Sequence, residues 1–210
     1  MLDARSTMSR RKRLQRSALV LLPCLAFLGS ACLASTGRAN ADPNDPAFPP
    51  LPDVVIGASN WAPKFPIPYD HTRNSVTDAD INAERGMCQW FNQRFKPLRR
   101  QIDAFGFNLF AASNDWTVGQ IQAQADSVAN NIDQAVAFLT PRAQSLTQTQ
   151  DFANDNYFPL YQGESFYRLW QHLSNVGVGI RARNTAWVNG PSEQRVKHWG
   201  ERIERSHVCD

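Results

Sequence analysis

The chain has 210 residues, 22 of them Lys or Arg and 19 Asp or Glu, for a formal net charge of +3. That surplus sits wholly at the front: residues 1–41 hold seven basic side chains and one acidic, leaving 15 against 18 beyond them, a net charge of −3. A nucleic-acid partner needs a clustered basic face, which the remainder lacks, so that function class is excluded.

Residues 8–16, "MSRRKRLQR", are strongly basic, and residues 17–36 carry no charge. A basic head, an apolar core and small residues at Ala39 and Ala41 have the layout of a secretory signal peptide. The layout predicts a signal over residues 1–41, cleaved after Ala41, with Pro43 keeping the new N-terminus extended. The chain then meets a membrane only through this segment, during export. Three other readings stay open. One is an uncleaved anchor, since about 20 apolar residues can span a bilayer. The others are a lipoprotein signal with lipid on Cys32, and twin-arginine export through "SRRKRLQ". Pro23 and the small-residue exit weigh against the anchor, Gly29 against the lipoprotein.

Cleavage would remove Cys24 and Cys32 and leave Cys88 and Cys209. Two cysteines in an oxidising compartment pair, so a Cys88–Cys209 disulfide is expected. Their spacing suits no zinc motif, and no metal is implied.

Residues 42–70 hold eight of the 13 prolines. Each proline removes a donor and restrains its predecessor, so residues 42–76 read as an extended, partly polyproline arm. Phe48, Trp61, Phe65 and Tyr69 give it surface with which to strap across a folded domain; "FPPLP" can alternatively serve as a partner-docking segment.

From Thr77 the period becomes helical. Thr77–Asp80 resembles a capping box, and Ile81, Cys88, Phe91, Phe95, Leu98, Ile102, Phe105 and Leu109 then follow three, four or seven apart, one apolar stripe. Pro97 lies inside it, which predicts a kinked helix or two nearly collinear ones. A second capping pattern at Thr117 precedes a stripe from Val118 to Leu139, and Thr140–Pro141 reads as a break and a new start. Phe166, Leu169, Leu173, Val176 and Ile180 mark another helix. After Asn189-Gly190-Pro191, a last helix over about 192–206 turns Val196, Trp199 and Ile203 inward. No strand pattern of convincing length occurs. The expected fold of residues 77–210 is all-α, an antiparallel bundle of four to five helices preceded by the extended Pro-rich arm.

The processing site "ANADP" resembles those of small exported proteins of mycobacteria and related actinobacteria. That resemblance covers the leader and the Ala/Asn/Gln-rich style of the helices, and carries no functional residue with it. "GESFYRLWQHLSNVGVG" resembles the Glu-Ser opening of lytic transglycosylases, which would make Glu164 a general acid on cell-wall glycan, although the Gly-Leu-Met-Gln continuation of that family is missing. The simpler reading puts Glu164 in a helical first turn, where its charge suits the dipole.

Other catalytic motifs are lacking: no Gly-x-Ser-x-Gly, His-Glu-x-x-His, P-loop or dinucleotide fingerprint occurs. The four histidines are scattered. Trp90 and Met87 on a flank of the first helix, with Trp170 and Tyr167 on a later one, either close the core or line a cleft for an apolar ligand such as a lipid or haem. Taken together, the chain is expected to be an exported, non-enzymatic helical protein that binds a partner, a protein or another component of the envelope, with no cofactor. The alternative is a carrier of a small apolar ligand.

Overall fold

Thr77 and Asp80 cap each other at the start of the first helix. Asp80 N–H donates to Thr77 Oγ1 at 3.2 Å, and Thr77 N–H donates to the Asp80 carboxylate at 2.8 Å, so α1 (Asp78–Trp90) begins where the sequence places it. The computed structural model describes residues 48–65, 70–150 and 156–210. The expected leader, residues 1–41, lies outside them.

Pro97 does not interrupt the helix. α1 passes through a π-helical turn, Phe91–Phe95, into α2 (Lys96–Ala111), with Pro97 in its first turn and right-handed helical dihedrals at residues 90, 91, 95 and 96. A helical proline lacks a donor and crowds the carbonyl four residues back. Widening the turn just before it relieves that crowding, and the apolar stripe keeps its phase.

The start of α3 differs from expectation. Thr117 does not cap it; its N–H and hydroxyl both go to Asp115 Oδ1, at 2.8 and 2.7 Å. α3 (Gly119–Ser145) begins after Val118, which is exposed rather than part of the stripe. Nor is there a break at Pro141: α3 runs through it. Beside it, Thr140 Oγ1 donates to the Val136 carbonyl at 2.6 Å and Arg142 Nη1 to the Phe138 carbonyl at 2.6 Å, on either side of the Ala137 carbonyl whose helical donor the proline removes.

After α3, β1 (Thr149–Gln150) pairs antiparallel with β2 (Asn156–Tyr157) in the register Thr149 with Tyr157. α4 (Gly163–Arg181) ends in a turn with Arg183 at φ 53°. α5 (Thr185–Val188) is a single turn capped by Asn184 Oδ1, too short to show as a periodic stripe. α6 (Pro191–Ser206) ends at His207, also left-handed at φ 53°. Among the described residues the fold is all-α apart from the two-residue β pair.

α4 packs against both α3 and α6, while α1 and α2 lie against α3. Val128, Ile132 and Leu139 of α3 share one core with Leu169, Leu173 and Ile180 of α4 and with Val196 and Ile203 of α6. α6 approaches so closely that a Cβ on Gly200 would collide with the Phe95 ring. The expected Cys88–Cys209 disulfide is present, with its Cα atoms 5.0 Å apart.

Residues 49–65 form neither helix nor strand and are held by side-chain amides of the helices. Gln93 accepts from Val55 N–H and donates to its carbonyl, both at 2.9 Å. Gln89 does the same for Gly57 at 3.2 and 3.0 Å. Two extended residues advance about 6.7 Å and four helical residues about 6 Å, so the two amides match two alternate peptide units. Downstream, Asp70–Ser75 form a 3-10 helix.

Candidate functional site

The four expected ligand-binding side chains fall in two places. Met87 and Trp90 are fully buried on α1. Tyr167 and Trp170 lie half-buried on α4 with rings 5.3 Å apart, and Trp170 Nε1 donates to Thr140 Oγ1 at 2.9 Å. Trp90 alone of the four lines a cavity of about 80 Å³ between residues 51–54 and the helices. Glu164, in the first turn of α4, is 45% exposed, with Oε1 3.6 Å from Arg168 Nε.

The cavity's other distinctive wall is Arg94, which the sequence reading passed over. It stands four residues after Trp90 and seven after Met87, on the same flank of the helix, and that spacing was the available signal. Its position in the π-helical turn is of the kind often found at functional sites. Arg94 is only 6% exposed, and its Nη1 is buried with no hydrogen-bond partner. Burial holds the guanidinium below its usual range, a shift that the charge of Asp53, on the overlying segment, only partly opposes.

Asn131, also on the wall, is fully engaged: Oδ1 accepts from Leu51 N–H at 3.1 Å, and Nδ2 donates to Gln101 Oε1 at 2.7 Å and to the Pro49 carbonyl at 3.2 Å. Leu51, Val54, Leu98, Ala135 and Phe138 supply apolar surface, and Gln134 completes the lining as a further polar side chain.

A second polar feature lies in the core of α1. Burial alone would raise the Asp80 carboxyl, but hydrogen bonds from Thr147 and Thr77 outweigh it and hold the group below its ordinary value. Thr147 donates its N–H at 2.5 Å and its hydroxyl at 3.0 Å. One turn later Glu84 is completely buried, and neither carboxyl oxygen has a hydrogen-bond partner. Burial, then the charge of Asp80, pushes it well above its ordinary value. Adjacent carboxyls are thus driven in opposite directions, Asp80 toward the anion and Glu84 toward the neutral acid.

Among the described residues no group of three or more His, Cys, Asp or Glu side chains is arranged to hold a metal ion. No protein family, curated protein or solved structure matches the chain.

Proposed function

We propose that the protein is exported and non-enzymatic, and acts by binding a protein partner in the cell envelope or outside the cell. The observation that carries this reading is Phe107 with Phe110, each 71% exposed, three residues apart on α2. Single exposed apolar residues are ordinary, but two large rings on one turn make a patch that a partner would cover. Aromatic side chains are also frequent interface anchors.

Export is supported by the layout of residues 1–41 and by the disulfide, a bond that persists in oxidising compartments. Among the described residues no helix is long and apolar enough to cross a membrane. The carrier reading has less support, because the cavity beside Trp90, about 80 Å³, is far too small for a lipid or haem. The short connections between helices favour an antiparallel bundle, and the amide clamps on Val55 and Gly57 favour a strap formed by residues 42–76.

Crosslinking tests the reading. A photocrosslinking amino acid placed at position 107 of the full chain, expressed in the producing cells, should give one dominant adduct with a second polypeptide. Adding Phe110→Ser should remove that adduct while leaving the melting temperature unchanged. No adduct, or adducts only between copies of this chain, would overturn the proposal.

A further inference from the structure

Residues 53–59, Asp-Val-Val-Ile-Gly-Ala-Ser, have two main-chain edges, and only the inner one is used. Val55 and Gly57 each exchange both main-chain bonds with a glutamine amide, Gln93 for the first and Gln89 for the second. An extended chain points the N–H and C=O of successive residues to opposite sides. Those of Val54, Ile56 and Ala58 therefore face away from α1, and among the described residues none of them has a hydrogen-bond partner. The window is also apolar where it is bare, with Val55 73% and Ile56 53% exposed. A free edge of this kind pairs with another chain unless proline, lysine or a covering element blunts it. Pro52 and Pro63 bracket the window, but inside it there is neither proline nor lysine.

We infer that this edge is a docking surface for a second copy of the chain, the two segments pairing antiparallel about a two-fold axis at Ile56. The window sets the register. It starts after Pro52 and ends where the chain bends, Trp61 N–H turning back onto Ser59 Oγ at 3.1 Å, so Ile56 is its midpoint. The hydrogen-bonded pairs then fall on residues 54, 56 and 58, whose main-chain groups are free. The non-bonded pairs fall on 55 and 57, whose groups are already spent on α1. Side chains agree with this register: Ile56 meets its own counterpart, Val54 meets Ala58, and Val55 meets Gly57. Asp53 falls opposite Ser59, an acceptor across from a hydroxyl, so no like charges face each other. Such a contact is isologous and closes on itself. Two short strands bury little area, so association is weak and reversible, in the micromolar-to-millimolar range.

The test uses protein purified from cells expressing the full chain, in sedimentation equilibrium at concentrations up to about 1 mM. Monomer and dimer should exchange reversibly. A mixture of ¹³C-labelled and unlabelled protein should show an intermolecular contact between Val55 Hα and Gly57 Hα, the close pair of this register. Ile56→Lys sets two lysines opposite each other and should weaken association at least tenfold. Ile56→Pro removes the central donor and should do the same. Both keep the Gln89 and Gln93 bonds, so the melting temperature of the monomer should stay level; if Ile56→Pro lowers it, Ile56→Lys alone is read. No dimer over that range, a dimer lacking the Val55–Gly57 contact, or undiminished association in Ile56→Lys would each overturn the inference.

Discussion

Trp61 donates its indole N–H to the carbonyl of Val208, 147 residues later, at 2.7 Å. That carbonyl belongs to the residue beside Cys209, so the extended segment and the chain end meet at the disulfide. Asn92 Nδ2 adds a bond to the Cys209 carbonyl at 3.0 Å, and Lys64 Nζ one to the carbonyl of His207.

The disulfide closes a loop with a sequence separation of 121. Loop-closure entropy gives on the order of 4–5 kcal/mol for such a loop, and measured values more often fall at about 2–4. Reduction, or Cys88→Ser with Cys209→Ser, should lower the unfolding free energy by about that amount in urea melts. Because Trp61, Asn92 and Lys64 still hold the tail, the folded spectrum should survive. Peptide mapping without reductant should recover the Cys88–Cys209 bridge, and free thiols at both positions would contradict it.

Trp61→Phe keeps an apolar ring and removes only the donor. The Val208 carbonyl, attached to a fully buried residue, then lacks that bond, which should cost about 1 kcal/mol. Trp61→Ala should cost clearly more, since it also empties the ring's site. Equal losses in the two variants would show that the hydrogen bond contributes nothing.

Glu84 gives a pH dependence of definite sign. Its folded-state carboxyl titrates well above the ordinary value of 4.5, so above that pH the unfolded chain holds fewer protons than the folded one. Stability supplied by the neutral acid is therefore full below about pH 4.5 and is lost as pH rises toward the folded value. Asp80 acts oppositely: its lowered value stabilises above its ordinary range and is lost in acid. Comparing wild type with Glu84→Gln cancels the other groups. The difference should grow in favour of Gln above pH 4.5, by at most about 1.4 kcal/mol per pH unit, until Glu84 ionises in the fold. Urea melts across pH 4–8 decide this, and a flat difference would show that Glu84 has found a partner.

Gly200→Ala tests the closest approach in the core. The added methyl would meet the Phe95 ring, which is stacked on Phe91 with centroids 4.6 Å apart and cannot retreat freely. A loss of roughly 1–3 kcal/mol is expected, as for other overpacked cores, and is readable as a lower melting temperature. A partial rescue by Phe95→Leu would assign the strain to that ring.

Processing is tested at the chain start. N-terminal sequencing of the exported protein should begin at Asp42, and Ala41→Trp should leave a membrane-held precursor. A start at residue 1, or lipid on Cys32, would replace the signal-peptide reading.

Legibility in the sequence followed the range of the forces. The Thr77–Asp80 cap is settled within four residues, and the stripes of α1, α4 and α6 repeat over several turns, so all were readable. Pro141 misled because a proline costs a helix one backbone bond without having to end it, and α3 continues through it on the packing of the residues either side. Thr117 misled because its local partner is Asp115 rather than the helix end. Arg94 was visible as a charge on a buried flank, but the cavity it lines exists only once residues 51–54 lie over the helices. Trp90 is buried on α1, while Trp170, half-buried on α4, hydrogen-bonds to Thr140, a long-range partner that no periodicity rule names.

Gln89 and Gln93 grip only the peptide groups of Gly57 and Val55, and the Val55 side chain is largely exposed. The fit between segment and helix is thus written in main-chain geometry on one side and in two amides on the other. Substitution should accordingly be lopsided: positions 55 and 56 can drift through nearly any residue, with proline barred from 55 and 57 because each must donate an N–H. The two glutamines have no such freedom. Even Glu in place of either would meet a carbonyl where a donor is required, so a lineage of this protein could rewrite the segment while keeping the clasp that holds it.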